Sequence, residues 1–334
     1  MIISLMRRSR YQHTYLTYRV SEQRSEEFRG YGLDLVEIGW EDRDRAINFI
    51  KKNADILHAA HSGGVEPGVL LGCLAGKPVI VTCQSPSRAV VPSEARECSL
   101  YTVTVSEGIV SYWGPDFQPY RVIYSCAEPV QRHDKQKAKE HFGLDRNRPV
   151  VGRVGRIEGA KRSEDFVRIA QVIVAKESEV QFLLVGDGSD GDRIRGMAGE
   201  LGIPITMPGY LVGVNKELAY NAIDVFLYPT SAEGFGIVFA EAMSLGIPIV
   251  TYVDPVNVDV VRNAGVYGVD NLFVPVRDPW DAMAELTLNL LHNRREYDRL
   301  SAAGINLYNK KYTPDRMTQE YDHLYEEIYH KHRG

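Results

Sequence analysis

The stretch YPTSAEGFGIVFAEAMSLGIPIV, residues 228–250, carries the densest structural pattern in the chain. It leaves an apolar strand, passes a loop of small residues to Glu233, turns over Gly234, Phe235 and Gly236, and shows helical periodicity from Ile237 to Leu245. Gly246 stands where the helix needs a stop, and IPIV opens the next strand. Such a unit predicts parallel strands covered by helices. Glu241 falls about one turn into the helix, on what reads as a short exposed end, while Glu233 lies in the loop before it. Amides at 235–238 would face the same space, so the turn can receive an anion that the helix dipole also favours. The chemistry leaves two readings open: the carboxylates accept hydrogen bonds from ribose or sugar hydroxyls, or Glu233 caps the helix and Glu241 pairs with a surface base.

The same alternation extends in both directions. Downstream of the polar stretch EPVQRHDKQKAKEHFGLDRNRP come PVVGRVGRI, a helix over 163–176, QFLLVG, a helix from 191, IPITMPG, a helix near KELAYNA, and DVFLYPT. Upstream of it, IISLM, LDLVEI, ADILHAA, PVIVTC, YTVTV and RVIYS read as strands with helical stretches between most of them. The helix EDRDRAINFIKKN places Ala46, Ile47, Phe49 and Ile50 on one face. The polar stretch is the best boundary, giving a Rossmann-like domain over 1–130 and a second over 131–310. Residues 311–334 form a C-terminal helix whose stripe of Met317, Tyr321, Leu324, Tyr325 and Ile328 is read as packing back on the N-terminal domain. Ligands bind beyond the carboxyl ends of such strands, so a cleft between the two domains is the expected site.

A length of 334 residues suits two domains with substantial cores. A net charge of -5 and no interleaving of basic and aromatic residues argue against a nucleic-acid binder. Cys73, Cys83, Cys98 and Cys126 never form C-x-x-C and read as buried or loop thiols in a reducing compartment, neither a zinc site nor a disulfide frame. MIISLMRRSR has too short an apolar run for a signal peptide, and no segment is apolar enough to span a bilayer. The expected location is cytoplasmic, with peripheral contact at the inner membrane surface compatible with it. Nothing in the pattern sets the oligomeric state.

QFLLVGDGSDGDRIRG, residues 181–196, contains G-x-G-x-x-G at Gly186, Gly188 and Gly191. A dinucleotide site also needs the first strand of its own unit and an acidic residue roughly 20 positions on. The next strand, IPITMP, supplies no acidic residue near its end, and the first apolar run, MIISLM, is followed by RRSRY without a glycine. The glycines therefore form a tight turn that walls a different nucleotide site.

Glu233 and Glu241 in E-x7-E, with Pro229 and Thr230 before and Ala242, Met243 and GIPIV after, resemble the retaining glycosyltransferases of family 4. VGRVGRIEGAKR, LLVGDG, MPGY and DVFLYPTSAEGFG follow in that family's order and spacing, and TVTVSEGI and RVIYS resemble the end of its N-terminal domain. The likeness covers most of residues 100–255. It implies an α/β protein of the GT-B fold, two Rossmann-like domains facing each other across a central cleft, with the acceptor side in the first and the nucleotide sugar in the second.

The resemblance assigns Arg156 and Lys161 to the donor diphosphate, Glu241 to the ribose and Glu233 to the transferred sugar. Fixed cations matter most where the leaving group gains charge, although a solvated loop edge is the alternative for both in isolation. The amides of Phe235, Gly236, Ile237 and Val238 would hold the distal phosphate, with Gly186 and Gly188 beside the nucleotide. Gly209, Tyr210 and Leu211 would lie near the base, Tyr210 being equally readable as a domain-edge aromatic. Such enzymes retain configuration without a dedicated nucleophile: the acceptor attacks the face from which the phosphate departs, and the phosphate takes the proton. No cofactor or metal is expected, and D-x-D in EDRDR reads as a solvated helix face.

On the acceptor side His58 reads as packed within its strand, His61 beyond the strand end is the catalytic candidate, and Gly63 and Gly64 would admit close approach. Many relatives have a histidine near Gln84 and glycines after the first strand; this sequence has neither. Arg7, Arg8 and Arg10 follow the first predicted strand, and their fork geometry suits an anionic acceptor, with a solubilising loop as the alternative. The acceptor, the sugar and the choice between UDP and GDP stay open. A nucleotide-sugar epimerase, a glycosyl phosphorylase and a non-catalytic nucleotide-sugar-binding protein are the competing functions.

Overall fold

The computed structural model describes residues 1–17, 19–60, 65–86, 98–112, 120–231, 233–268 and 279–333. The chain divides into two units, Met1–Cys126 with Lys311–Gly334, and Ala127–Lys310. The first unit runs α1 (Ile2–Arg8), β1 (Thr14–Thr17), α2 (Glu22–Gly30), β2 (Asp34–Glu37), α3 (Arg43–Asn53), β3 (Leu57–Ala60), α4 (Val65–Leu74), β4 (Val79–Cys83), β5 (Leu100–Thr104) and β6 (Tyr120–Val122). The second runs α5 (Lys135–His141), β7 (Val150–Val154), α6 (Ser163–Lys176), β8 (Gln181–Val185), α7 (Gly191–Glu200), β9 (Ile205–Gly209), α8 (Gly213–Ala222) and β10 (Val225–Tyr228). It continues through α9 (Ile237–Leu245), β11 (Ile249–Tyr252), α10 (Pro255–Val261), β12 (Gly265–Gly268), α11 (Pro279–His292) and α12 (Arg294–Lys311), after which α13 (Pro314–Arg333) completes the first unit.

The second unit holds a parallel sheet in the order β12-β11-β10-β7-β8-β9. Its strands QFLLV, VFLY and IVTY are apolar on both faces, as a sheet covered by helices demands. Phe166, Phe182, Val225, Leu227 and Val250 are all fully buried in its core. The order reverses between β7 and β10, and this switch point is where an open parallel sheet leaves a crevice at its carboxyl edge. Two terminations sharpen that edge. Gly246 closes α9 at a φ of 72°, and Asp254 caps α10 by accepting from the Val256 amide at 2.9 Å.

In the first unit β3, β4, β5 and β6 form one parallel sheet, and β1 pairs with β2 in another. A cavity of about 1520 Å³ has residues of both β1 and β3 in its wall. On the four-stranded sheet, Leu5 of α1 and Met317, Tyr321, Leu324, Tyr325 and Ile328 of α13 pack with Ile80 and Val103. Among the described residues no helix is long and apolar enough to cross a membrane.

Two expectations are corrected here. IISLM is helical, not a strand: five apolar residues suit either form, and the helix lets Leu5 face α13 while Arg7 and Arg8 sit at its carboxyl end. The first strand is instead TYLT, too short to stand out in the sequence. Cys73 and Cys98 are joined in a disulfide, with Cα atoms 5.5 Å apart, whereas Cys83 and Cys126 are buried free thiols. The end of α4 and the start of β5 meet although 25 residues separate the two cysteines. That proximity belongs to the fold and has no trace in the spacing.

Candidate active site

The switch point is built from the loops after β7 and β10. Beyond β7 the chain stays alongside the loop after β8, the Gly155 amide donating to Val185 O at 2.9 Å and the Ile157 amide to Asp187 O at 2.9 Å. This contact explains the glycines. Gly186 and Gly188 adopt φ of 139° and 157°, and a Cβ on either would strike the carbonyl of Gly155 or of Ile157. The apparent dinucleotide motif is thus a clamp between two loops. A short turn then brings Lys161 inward, where its Nζ donates to Glu233 Oε1 at 2.7 Å.

Glu233 is only 7% exposed, and the Thr230 hydroxyl donates to the same oxygen at 2.9 Å. Thr230 is held by the fully buried Asn257 of α10, whose amide donates to its carbonyl at 2.8 Å. Gly236, at a φ of 73°, turns the chain into α9. Ile237 and Val238 begin that helix, whose first-turn amides lack intrahelical acceptors and suit an anion. Phe235 is buried, and Ile237 is exposed.

Glu241 departs from expectation. It is buried, not on an exposed end: Lys216 Nζ donates to Oε1 at 2.5 Å and the Tyr220 hydroxyl to Oε2 at 2.6 Å. Burial, with Glu241 beside it, pushes the Tyr220 phenol well above its ordinary range, which keeps it a donor. Tyr220 in turn stacks on Phe226, and Phe226 on Tyr228. Nothing in the local sequence marked Lys216 or Tyr220; their register on α8 brings them to α9.

Arg156 does not join the Lys161–Glu233 pair; its exposed guanidinium donates to Glu158 Oε1 at 3.0 Å. Gly209 takes a φ of 86°, Tyr210 is 69% exposed and Leu211 is half-buried. Arg153 went unnoticed in the sequence, because a charge inside VVGRV looks like an interruption. Its side chain is fully buried, with Cζ 5.0 Å from the Tyr228 ring centroid.

In the first unit His61, Gly63 and Gly64 lie outside the described residues. Among the described residues Gln84 reaches the Met1 sulfur, at 3.9 Å. Arg7 and Arg8 close a helix and Arg10 lies just beyond it, so none follows a strand, and each has a partner: Arg7 lies 4.3 Å over the Tyr31 ring, Arg8 pairs with Asp315 at 3.1 Å, and Arg10 with Glu326 at 2.6 Å. His58 sits between the Tyr325 and Thr82 hydroxyls, each 2.7 Å away. Burial, then the nearby His13, push its pKa down to about 3. Among the described residues no three His, Cys, Asp or Glu side chains gather as a metal site would need.

Residues 134–307 match the family model described as glycosyl transferases group 1. The chain is 28% identical over 230 residues to a D-inositol 3-phosphate glycosyltransferase of Rhodococcus jostii, covering 64% of this chain and 48% of that one. It is 32% identical over 161 residues to a phosphatidyl-myo-inositol mannosyltransferase of Mycobacterium tuberculosis, covering 47% and 41%. The chain thus spans about half the length of the curated relatives it matches. Among solved structures, Anabaena HepE in complex with UDP and glucose superposes with a TM-score of 0.79 at 14% identity, over 97% of this chain and 94% of that one. That likeness shows the GT-B fold.

Proposed function

The chain belongs to the glycosyl transferases group 1 family, and from that premise we propose that it transfers a sugar from a nucleoside diphosphate donor with retention of configuration. The observation that carries this reading is the Lys161–Glu233 pair at the β7/β10 switch point, beside the amino end of α9. Lys161 and the first-turn amides of α9 suit a diphosphate; Glu233 suits a sugar hydroxyl, and Glu241 the ribose. In the step itself the acceptor oxygen bonds to the anomeric carbon as the bond from that carbon to the phosphate oxygen breaks. The departing phosphate takes the acceptor's proton, and Lys161 and the amides stabilise the charge that collects on it.

UDP is the first nucleotide to try, since HepE holds it in the solved complex; GDP is the second. The test is titration calorimetry with both, followed by UDP- and GDP-sugars with a panel of acceptors and with water. Transfer, isomerisation, and binding without turnover separate the transferase from an epimerase and from a passive binder. Lys161→Met should lower kcat by about 100-fold or more while the protein stays folded. Unchanged turnover in that variant, or no binding of either nucleotide, would remove the basis for this assignment. The acceptor panel includes sugar phosphates and anionic lipid headgroups, because Arg7 and Arg8 at the end of α1 and Arg10 just past it offer cations to an anionic acceptor once released from their acidic and aromatic partners.

A further inference from the structure

Arg153 is the fourth of the five residues of β7, a strand with neighbours on both sides and buried along its whole length. An apolar residue of similar volume is the cheaper choice there, because a buried charge needs compensation. Its near compensation is neutral, a backbone carbonyl and the Tyr228 side chain, with no carboxylate among the described residues bonded to it directly. Nη2 donates to the Arg156 carbonyl at 3.1 Å, and Nε and Nη1 make no hydrogen bond among the described residues. Burial pulls the guanidinium below its ordinary range, opposed by the Tyr228 hydroxyl and by the Glu233 and Asp165 carboxylates. Both carboxylates have other partners: Asp165 has Arg162 at 2.7 Å, Tyr252 at 3.0 Å and Trp280 at 3.2 Å, and Glu233 has Lys161, Thr230 and the Tyr228 hydroxyl, which also meets Arg153.

Resting on the donor reading above, we infer that Arg153 is a positioning residue for transfer, a second fixed cation that reaches Glu233 through Tyr228 and also holds the loop bearing Arg156 and Lys161. Without donor, Lys161 and Glu233 neutralise one another. A diphosphate brings further negative charge to the same place, and one lysine cannot serve both partners fully. As Lys161 turns to the phosphate, Glu233 loses its direct cation inside a buried site. Arg153 remains, anchored in the sheet, and keeps the carboxylate's charge compensated and in place to accept from the sugar. Its bond to the Arg156 carbonyl fixes the start of the loop from which Lys161 swings. The role is that of an electrostatic support which touches no substrate atom.

The experiment compares wild type, Arg153→Met and Arg153→Lys in hydrolysis of UDP-glucose or GDP-mannose, whichever nucleotide binds, with water as acceptor. Arg153→Met should lose about tenfold or more in kcat with KM within about threefold, and Arg153→Lys should recover most of kcat. In a Glu233→Gln background the Met substitution should change kcat by less than about twofold, since the two residues act as one unit. Unchanged kcat in Arg153→Met, or a loss that lysine does not restore, would overturn the inference. If Arg153→Met does not fold, Arg153→Lys decides alone: its kcat should stay within about fivefold of wild type, and a greater loss at unchanged KM and stability overturns the charge role. A wild-type chain that binds neither UDP nor GDP defeats the donor reading itself and this inference with it.

Discussion

The two units start from the same alternation of strands and helices and end differently. In the second, six strands form one sheet, its central strands are closed on both faces, and the switch point between β7 and β10 gathers Lys161, Glu233 and α9. In the first, β1 and β2 are partly exposed along their length and stand apart from the four-stranded sheet, with a cavity against β1 and β3. The contrast shows that alternation fixes the kind of unit, whereas continuity of the sheet depends on strands apolar enough to be covered. A site that relies on two adjacent strand ends needs that continuity.

The largest test of the contrast is a pair of truncations. Phe182→Ala removes a fully buried ring from the core of the second unit and should cost about 3–5 kcal/mol. Phe49→Ala, in the wall of the first unit's cavity, should cost less than about 2 kcal/mol, because the neighbouring space already exists. Urea unfolding followed by hydrogen exchange in each unit measures both, and equal losses would erase the distinction.

A smaller effect should come from the Cys73–Cys98 bond, which closes a span of 25 residues in the first unit alone. Cys73→Ser should lower that unit's stability by roughly 3 kcal/mol and leave the second unit's exchange rates unchanged. Thiol counting by mass spectrometry under denaturing conditions gives the companion readout, two free thiols in the intact chain and three in the variant.

The smallest expected effect separates the units by pH. His58 has a folded pKa pushed from 6.5 down to about 3, so the stability its neutral ring contributes is complete above the unfolded value and is lost as the pH falls towards the folded one. The groups around it are Tyr325, Thr82, Tyr321 and His13. By pH 5 the first unit should have lost about 2 kcal/mol at most, and His58→Gln should flatten that dependence. A profile unchanged by the substitution would show that His58 does not set it.

Much of the second unit was legible because short-range rules write it. The strands QFLLV, VFLY and IVTY are apolar runs bounded by turns, and the start of α9 and its end at Gly246 follow from glycine's freedom at positive φ. The first unit was harder. IISLM fits helix and strand alike, and only its contact with α13, more than 300 residues away in sequence, selects the helix. Glu241 looked exposed because its covering residues, Lys216 and Tyr220, come from another helix.

The sequence by itself determined the α/β class, the order of elements in the second unit, and the glycine-bounded turn into α9, since each depends on periodicity or backbone sterics within a few residues. Tertiary structure alone decided that Lys161 meets Glu233 across 72 positions, that Arg156 turns to Glu158 instead, that Arg153 is buried against Tyr228, and that Cys73 joins Cys98. Ion pairs, burial and disulfides depend on distances in space, and those distances exist only once the sheet has set which strand ends are neighbours.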